Sequence, residues 1–84
     1  IASQKDELAK QRIDLAEQAL REMGFTQVRV RDHEPIARIE VPAEEMTGAM
    51  RHRERIVRAL TELRWQYVTL DLEAFRSGSM NKGL

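Results

Sequence analysis

The sequence predicts an α+β fold of two layers, in the order αββαβ, with two helices on one face of a three-stranded mixed sheet. Three observations carry this. Apolar residues recur at helical spacing in two segments and alternate with period two in three others. Gly, Pro and Asp punctuate the boundaries between them. Each helix then has one apolar stripe and each strand one apolar face, and two layers bury both.

The first helix is expected over residues 4–23. Ser3 followed by Asp6 has the form of a capping box, and Ala9, Ile13, Ala16, Leu20 and Met23 lie on one stripe. Gly24 stands where a left-handed C-terminal cap is wanted. In residues 25–31, Val28 and Val30 alternate with Gln27, Arg29 and Arg31, a half-buried strand. Residues 32–35 (Asp-His-Glu-Pro) read as a turn, and Ala37, Ile39 and Val41 as a second strand ended by Pro42, which completes a hairpin. A short helical turn follows Pro42, with Thr47-Gly48 expected to break it. Ile56, Val57, Leu60 and Leu63 mark a second helix over residues 49–63, with Arg51, Arg55 and Arg58 on its other side. In residues 65–73, Val68, Leu70 and Leu72 face one way and Tyr67, Thr69, Asp71 and Glu73 the other. A right-handed crossover sets this third strand parallel to the second, and the first strand is expected between them. Leu60, Val30, Ile39 and Leu70 are expected to be the most buried residues. Residues 76–83 are polar with two glycines and read as a loop or an anion-binding turn.

Composition excludes several functions. Eighty-four residues, 42% hydrophobic and 33% charged, make one small globular domain with a modest core. Fourteen cations balance fourteen anions, so no net field draws the chain to nucleic acid or to a membrane. No apolar run approaches the ~20 residues that span a bilayer. Without cysteine there is no disulfide, no thiolate metal site and no cysteine nucleophile, and two histidines nineteen positions apart make no zinc site. The stretch Arg51-His52-Arg53-Glu54-Arg55 is locally basic, but Glu54 and Glu62 interleave and only Trp65 follows, so no nucleic-acid partner is expected. No phosphate loop, dinucleotide fingerprint, nucleophile elbow or complete catalytic constellation is present. The start, Ile1-Ala2-Ser3-Gln4, lacks a secretory pattern, and with helix signals almost at once it reads as cut from a longer chain.

Within the neutral total, eleven of the fourteen cations are arginine, whose planar fork matches phosphate and carboxylate. The uncovered sheet face collects Arg29, Arg31, Arg38, Glu40, Thr69 and Asp71, with Arg76 just beyond the last strand. Arg29 and Arg31 emerge on the same side about 7 Å apart, a spacing at which two forks grip one phosphate or two neighbouring anions. The same residues equally make cross-strand ion pairs on a solvated face, or a docking surface for sequence beyond this chain. Glu17, beside the apolar stripe of the first helix, reads as an ordinary solvated acid.

The segment Tyr67-Val-Thr-Leu-Asp-Leu-Glu-Ala-Phe-Arg-Ser-Gly-Ser-Met-Asn81 is more specific than any of these patterns. It resembles the C-terminal signature of the ATP-dependent sacrificial sulfur transferases of nickel-pincer cofactor synthesis, the LarE family of the PP-loop ATP pyrophosphatases. Residues 17–25 (Glu-Gln-Ala-Leu-Arg-Glu-Met-Gly-Phe), 28–31 (Val-Arg-Val-Arg) and 37–42 (Ala-Arg-Ile-Glu-Val-Pro) extend the resemblance over nearly the whole chain. Ala74 stands where the family usually has Gly, and Arg64-Trp65 replaces a common Gly-aromatic pair.

The resemblance implies a cytoplasmic, homo-oligomeric enzyme of which this chain is the C-terminal substrate-binding or oligomerisation domain. An N-terminal pyrophosphatase domain would bind ATP and Mg²⁺ and adenylate the carboxylates of a pyridinium mononucleotide. Sulfur would come from an upstream cysteine or an iron–sulfur cluster. The fragment alone is then expected to be inactive. Carried over residue by residue, Arg29 and Arg31 match the strand arginines of the substrate phosphate site, Arg76 the arginine of the Arg-Ser-Gly-Ser turn, and Glu17 an acid at the site. Ser77 and Ser79 are expected to support with hydroxyl and backbone donors. The role of a further family acid is not transferred to Glu44 or Glu45, and Arg38, outside the match, is expected to matter less. The alternative function is a non-catalytic oligomerisation or docking module.

Overall fold

A computed structural model describes residues 2–74, with side chains from residue 6 onward. The order is α1 (Ala2–Glu22), β1 (Arg29–His33), β2 (Ile36–Glu40), a 3-10 turn (Ala43–Glu45), α2 (Met46–Arg51), α3 (Arg53–Glu62) and β3 (Tyr67–Leu70). The helices pack against the sheet as an α+β arrangement of the expected kind.

The strand order differs from expectation: it is β1-β2-β3, with β2 and not β1 in the middle. β1 pairs antiparallel with β2 (Arg29↔Glu40, Val30↔Ile39, Arg31↔Arg38), and β2 pairs parallel with β3 (Ile36↔Tyr67, Arg38↔Thr69). Hydrogen bonding explains the choice. The tight turn at Glu34–Pro35, joined by a cis peptide, fixes β1 on one edge of β2 and leaves the other edge unpaired. β3 takes that edge: Gln66 and Tyr67 N–H donate to the Pro35 carbonyl, and Asp71 N–H donates to the Ile39 carbonyl. The outer edge of β1 is already covered, because Val30 N–H donates to the Glu17 carboxylate at 2.9 Å.

Several boundaries also move. Ser3 lies inside α1 and not at its cap. β1 runs on through Asp32 and His33, so the turn is shorter than expected. Thr47 and Gly48 are part of α2, and the interruption comes later, at His52. Gly48 packs beside the Phe25 ring, which lies 4.0 Å from where a Cβ would stand, so the helix continues through it without a steric requirement for glycine. His52 N–H still donates to the Gly48 carbonyl and its own carbonyl accepts from Ile56 N–H, so α2 and α3 form one path with a local distortion.

The core lies between helices and sheet, with Trp65, Leu20, Leu60 and Val41 the largest fully buried side chains. Leu60, Val30 and Ile39 are buried as expected, whereas Leu70, on the edge strand, is half-buried. Val57 is exposed on the flank of α3, and Leu72, beyond the end of β3, is 82% exposed.

Both helix–strand connections use the same cap. Gly24 N–H donates to the Arg21 carbonyl and Phe25 N–H to the Leu20 carbonyl; Arg64 N–H donates to the Thr61 carbonyl and Trp65 N–H to the Leu60 carbonyl. This is the Schellman pattern, with a buried aromatic after the left-handed residue in each case. Gly24 takes φ 110° freely, but Arg64 is held at φ 85° and Ala74 at φ 71°. Arg64 and Ala74 are the two non-glycine residues with positive φ among the described residues.

Candidate functional site: the arginine face of the sheet

Period-two alternation sorts each strand. Arg29 and Arg31 of β1 point to the open face while Val30 is buried; on β2, Arg38 and Glu40 are open and Ala37 and Ile39 buried. The antiparallel register sets Arg29 opposite Glu40 and Arg31 opposite Arg38, and the parallel register sets Thr69 beside Arg38. Glu40 is the hub. Its Oε1 lies 3.5 Å from Arg31 Nε, and its Oε2 accepts a 3.0 Å hydrogen bond from Arg38 Nη2. Arg38 Nε lies 3.7 Å from Asp71 Oδ2. The cross-strand ion pairing weighed above is thus present, yet the Arg31 side chain remains 48% exposed. Arg29 is exposed and also engaged in an interaction. Exposed pairs of this kind contribute little to stability.

Glu17 is not on this face. It reaches from α1 to the edge of β1, where it accepts the N–H of Val30. Val30 lies between Arg29 and Arg31, so Glu17 anchors the backbone that carries both arginines without joining them. Arg76, Ser77 and Ser79 lie outside the described residues. Glu45, given no role above, accepts Thr26 N–H at 3.2 and 3.3 Å and the Thr26 hydroxyl at 2.6 Å, which ties the 3-10 turn to the segment entering β1.

A cluster on the covered side was not foreseen. Arg12 Nη2 donates to both oxygens of Asp32, at 3.1 and 3.0 Å, and its guanidinium carbon sits 4.3 Å from the centre of the Trp65 ring. Trp65 Nε1–H donates to Asp32 Oδ1 at 2.9 Å, and Arg12 lies 3.6 Å from Glu34. Burial opposes ionisation of Asp32 and is the largest single influence on it. Hydrogen bonds from Trp65 and Arg12, the Arg12 charge and a backbone hydrogen bond at Glu34 together outweigh it and hold the carboxyl below its ordinary value. The signal was available: carrying the β1 alternation two residues past Val30 puts Asp32 on the inward side. A cleft of about 540 Å³ opens beside this cluster, lined by Asp6, Leu8, Ala9, Arg12, Asp32 and Glu34. No group of three or more His, Asp or Glu side chains among the described residues is placed to hold a metal, and none of their helices is long and apolar enough to cross a membrane.

Fold and face together define the class: a two-layer α+β domain that presents arginines from two adjacent strands on an open sheet face. The chain is 49% identical over 69 residues, 82% of its length, to pyridinium-3,5-bisthiocarboxylic acid mononucleotide synthase of Lactiplantibacillus plantarum, of which it covers 25%. It is 40% identical over 76 residues to an uncharacterized protein of Synechocystis sp., covering 88% of this chain and 28% of that protein. The chain thus spans about a quarter of the length of these relatives. It belongs to the LarE family and matches the C-terminal part of the synthase. No protein-family model matches it.

Proposed function

We propose that this chain is the C-terminal substrate-binding part of an ATP-dependent sulfur transferase that thiolates the carboxylates of a pyridinium mononucleotide, and that its arginine face receives the substrate phosphate. The observation that carries the reading is the pairing of close similarity to the synthase with Arg29 and Arg31 side by side on an open strand face. Glu40 pulls the Arg31 fork toward β2 but leaves half of it open to an anion. A phosphate competing for that fork forms charge-assisted hydrogen bonds, which are stronger than a long ion pair at 3.5 Å. We assign Arg76, Ser77 and Ser79 to the same site on the family match, and Glu17 to positioning the strand through Val30 N–H.

ATP, Mg²⁺ and the sulfur source, a cysteine or an iron–sulfur cluster, belong in this reading to an N-terminal pyrophosphatase domain. Gly24, Gly48, Gly78 and Gly83 are too scattered to form a phosphate loop, and the chain contains no cysteine. No chemical step is therefore assigned to this chain, and alone it turns over no ATP. The assembly is read as a cytoplasmic homo-oligomer. The test is titration of the full-length protein with a pyridinium mononucleotide. Arg29→Ala and Arg31→Ala should each weaken binding about tenfold or more while sparing ATP hydrolysis. Equal affinities for wild type and both variants overturn the phosphate site, and loss of oligomer without loss of ligand favours a docking module instead.

A further inference from the structure

Resting on that reading, we propose that Arg38 determines specificity at the same face by binding a ring carboxylate of the mononucleotide, while Arg29 and Arg31 hold its phosphate. The register sets Arg38 directly opposite Arg31, two cations on adjacent strands. Like charges so placed repel, a local cost that a merely solvated face has no reason to carry. Glu40 is shared between the two, with Arg31 Nε at 3.5 Å and Arg38 Nη2 at 3.0 Å, and Asp71 stands 3.7 Å from Arg38 Nε.

Arg38 is also under-used. Its hydrogen bond to Glu40 takes one of its five N–H donors, and among the described residues its Nε has no hydrogen-bond acceptor although it is shielded from solvent. Yet 41% of the side chain is exposed on the open face. Glu40 and Asp71 approach from either side and fix the plane of the fork before a ligand arrives. Thr69, its neighbour on β3, turns its hydroxyl away to donate to the Ala37 carbonyl, so no other side-chain donor competes at this position.

The ligand has the matching shape. A pyridinium mononucleotide separates its phosphate from its ring carboxylates by a ribose. Arg29 and Arg38 are diagonal neighbours about 7–8 Å apart at the backbone, and their long stems extend that reach. The phosphate end and the ring end can thus be engaged by different arginines of one patch.

Two probes separate the ends. Nicotinic acid mononucleotide carries a phosphate and a ring carboxylate; nicotinamide mononucleotide carries the same phosphate and a neutral amide. Full-length wild-type protein should prefer the acid by about tenfold or more, the value of a charge-assisted contact. Arg38→Gln should abolish that preference while leaving affinity for the amide unchanged, and Arg38→Lys should restore part of it. Arg31→Ala should weaken both probes alike. Thermal unfolding of each variant identifies any loss due to misfolding, and Arg38→Lys keeps the comparison available if Arg38→Gln is unstable. If Arg38→Gln weakens both probes equally, Arg38 reads phosphate and the inference is overturned. If it keeps the preference for the acid, Arg38 is only an ion-pair partner and the inference is again overturned. If wild type binds neither probe, or binds both with affinities that the Arg29 and Arg31 substitutions leave unchanged, the phosphate reading itself has failed.

Discussion

Asp32 holds the hairpin to the helices, and its removal is the most informative perturbation of stability. Asp32→Ala strands two partners at once. The Arg12 guanidinium, 17% exposed, loses both hydrogen bonds to its carboxylate, and the Trp65 N–H, on a side chain 1% exposed, loses its acceptor. Removing one member of a largely buried ion pair costs about 3–5 kcal/mol, and a buried donor left without an acceptor about 1–3 kcal/mol. Partial exposure of Arg12 and its remaining contact with Glu34 lower the sum, so we expect about 3–4 kcal/mol. That is a large share of the 5–15 kcal/mol typical of a whole domain. Urea denaturation followed by fluorescence measures it, since Trp65 is the sole tryptophan and lies at the perturbed site. The pH dependence is a second readout. The folded carboxyl titrates below its ordinary value of 3.8, so its contribution is present above that pH and is lost as pH falls through the lower folded value. Wild type should therefore lose stability more steeply than Asp32→Asn below about pH 4. A cost under about 0.5 kcal/mol, or parallel acid profiles, would refute the clamp.

Two further substitutions test the packing and the caps. Leu60→Ala should cost about 2–5 kcal/mol in the same denaturation experiment, because Leu60 is fully buried and its loss opens a cavity between α3 and the sheet. Arg64→Gly should raise the urea midpoint, by about 0.5–1 kcal/mol in stability, because Arg64 sits at φ 85° with its side chain exposed; unchanged or lower stability would mean the side chain compensates for its backbone.

How far the sequence can be read depends on whether a feature is local. The stripe of α1, the Ile56, Leu60 and Leu63 positions of α3 and its cap, the Gly24 cap and the alternation of Arg29, Val30 and Arg31 are set within a few residues of chain, and they appear in the structure as read, while Val57 turns out to be exposed. The strand order was missed because nothing local in β1 or β3 says which edge of β2 is free; that is settled by Pro35, Ile39 and Glu17 across the fold. Gly48 reads as a breaker on propensity alone, whereas in the fold it lies inside α2. Arg12 resembles any solvated cation until Asp32 and Trp65 arrive from elsewhere in the chain. The arginine face was legible as a face, but its partition was not: whether Arg31 leans on Glu40 or stands free follows from register.

Register also explains how one short strand serves two demands. On β1, Val30 and Asp32 turn inward to the core and the Arg12–Trp65 clamp, while Arg29 and Arg31 turn outward. The strand period places these groups on opposite sides of the sheet, so stability is supplied on one side and charge is displayed on the other. Glu17 bridges the two, by holding the N–H of Val30 between the arginines. A one-residue slip of β1 against β2 would bury Arg29 and Arg31 and expose Val30 and Asp32. The Asp32 clamp therefore sets the side on which the arginines emerge, and the face keeps its charge because the opposite side has a hydrogen-bonded acid fixed in place.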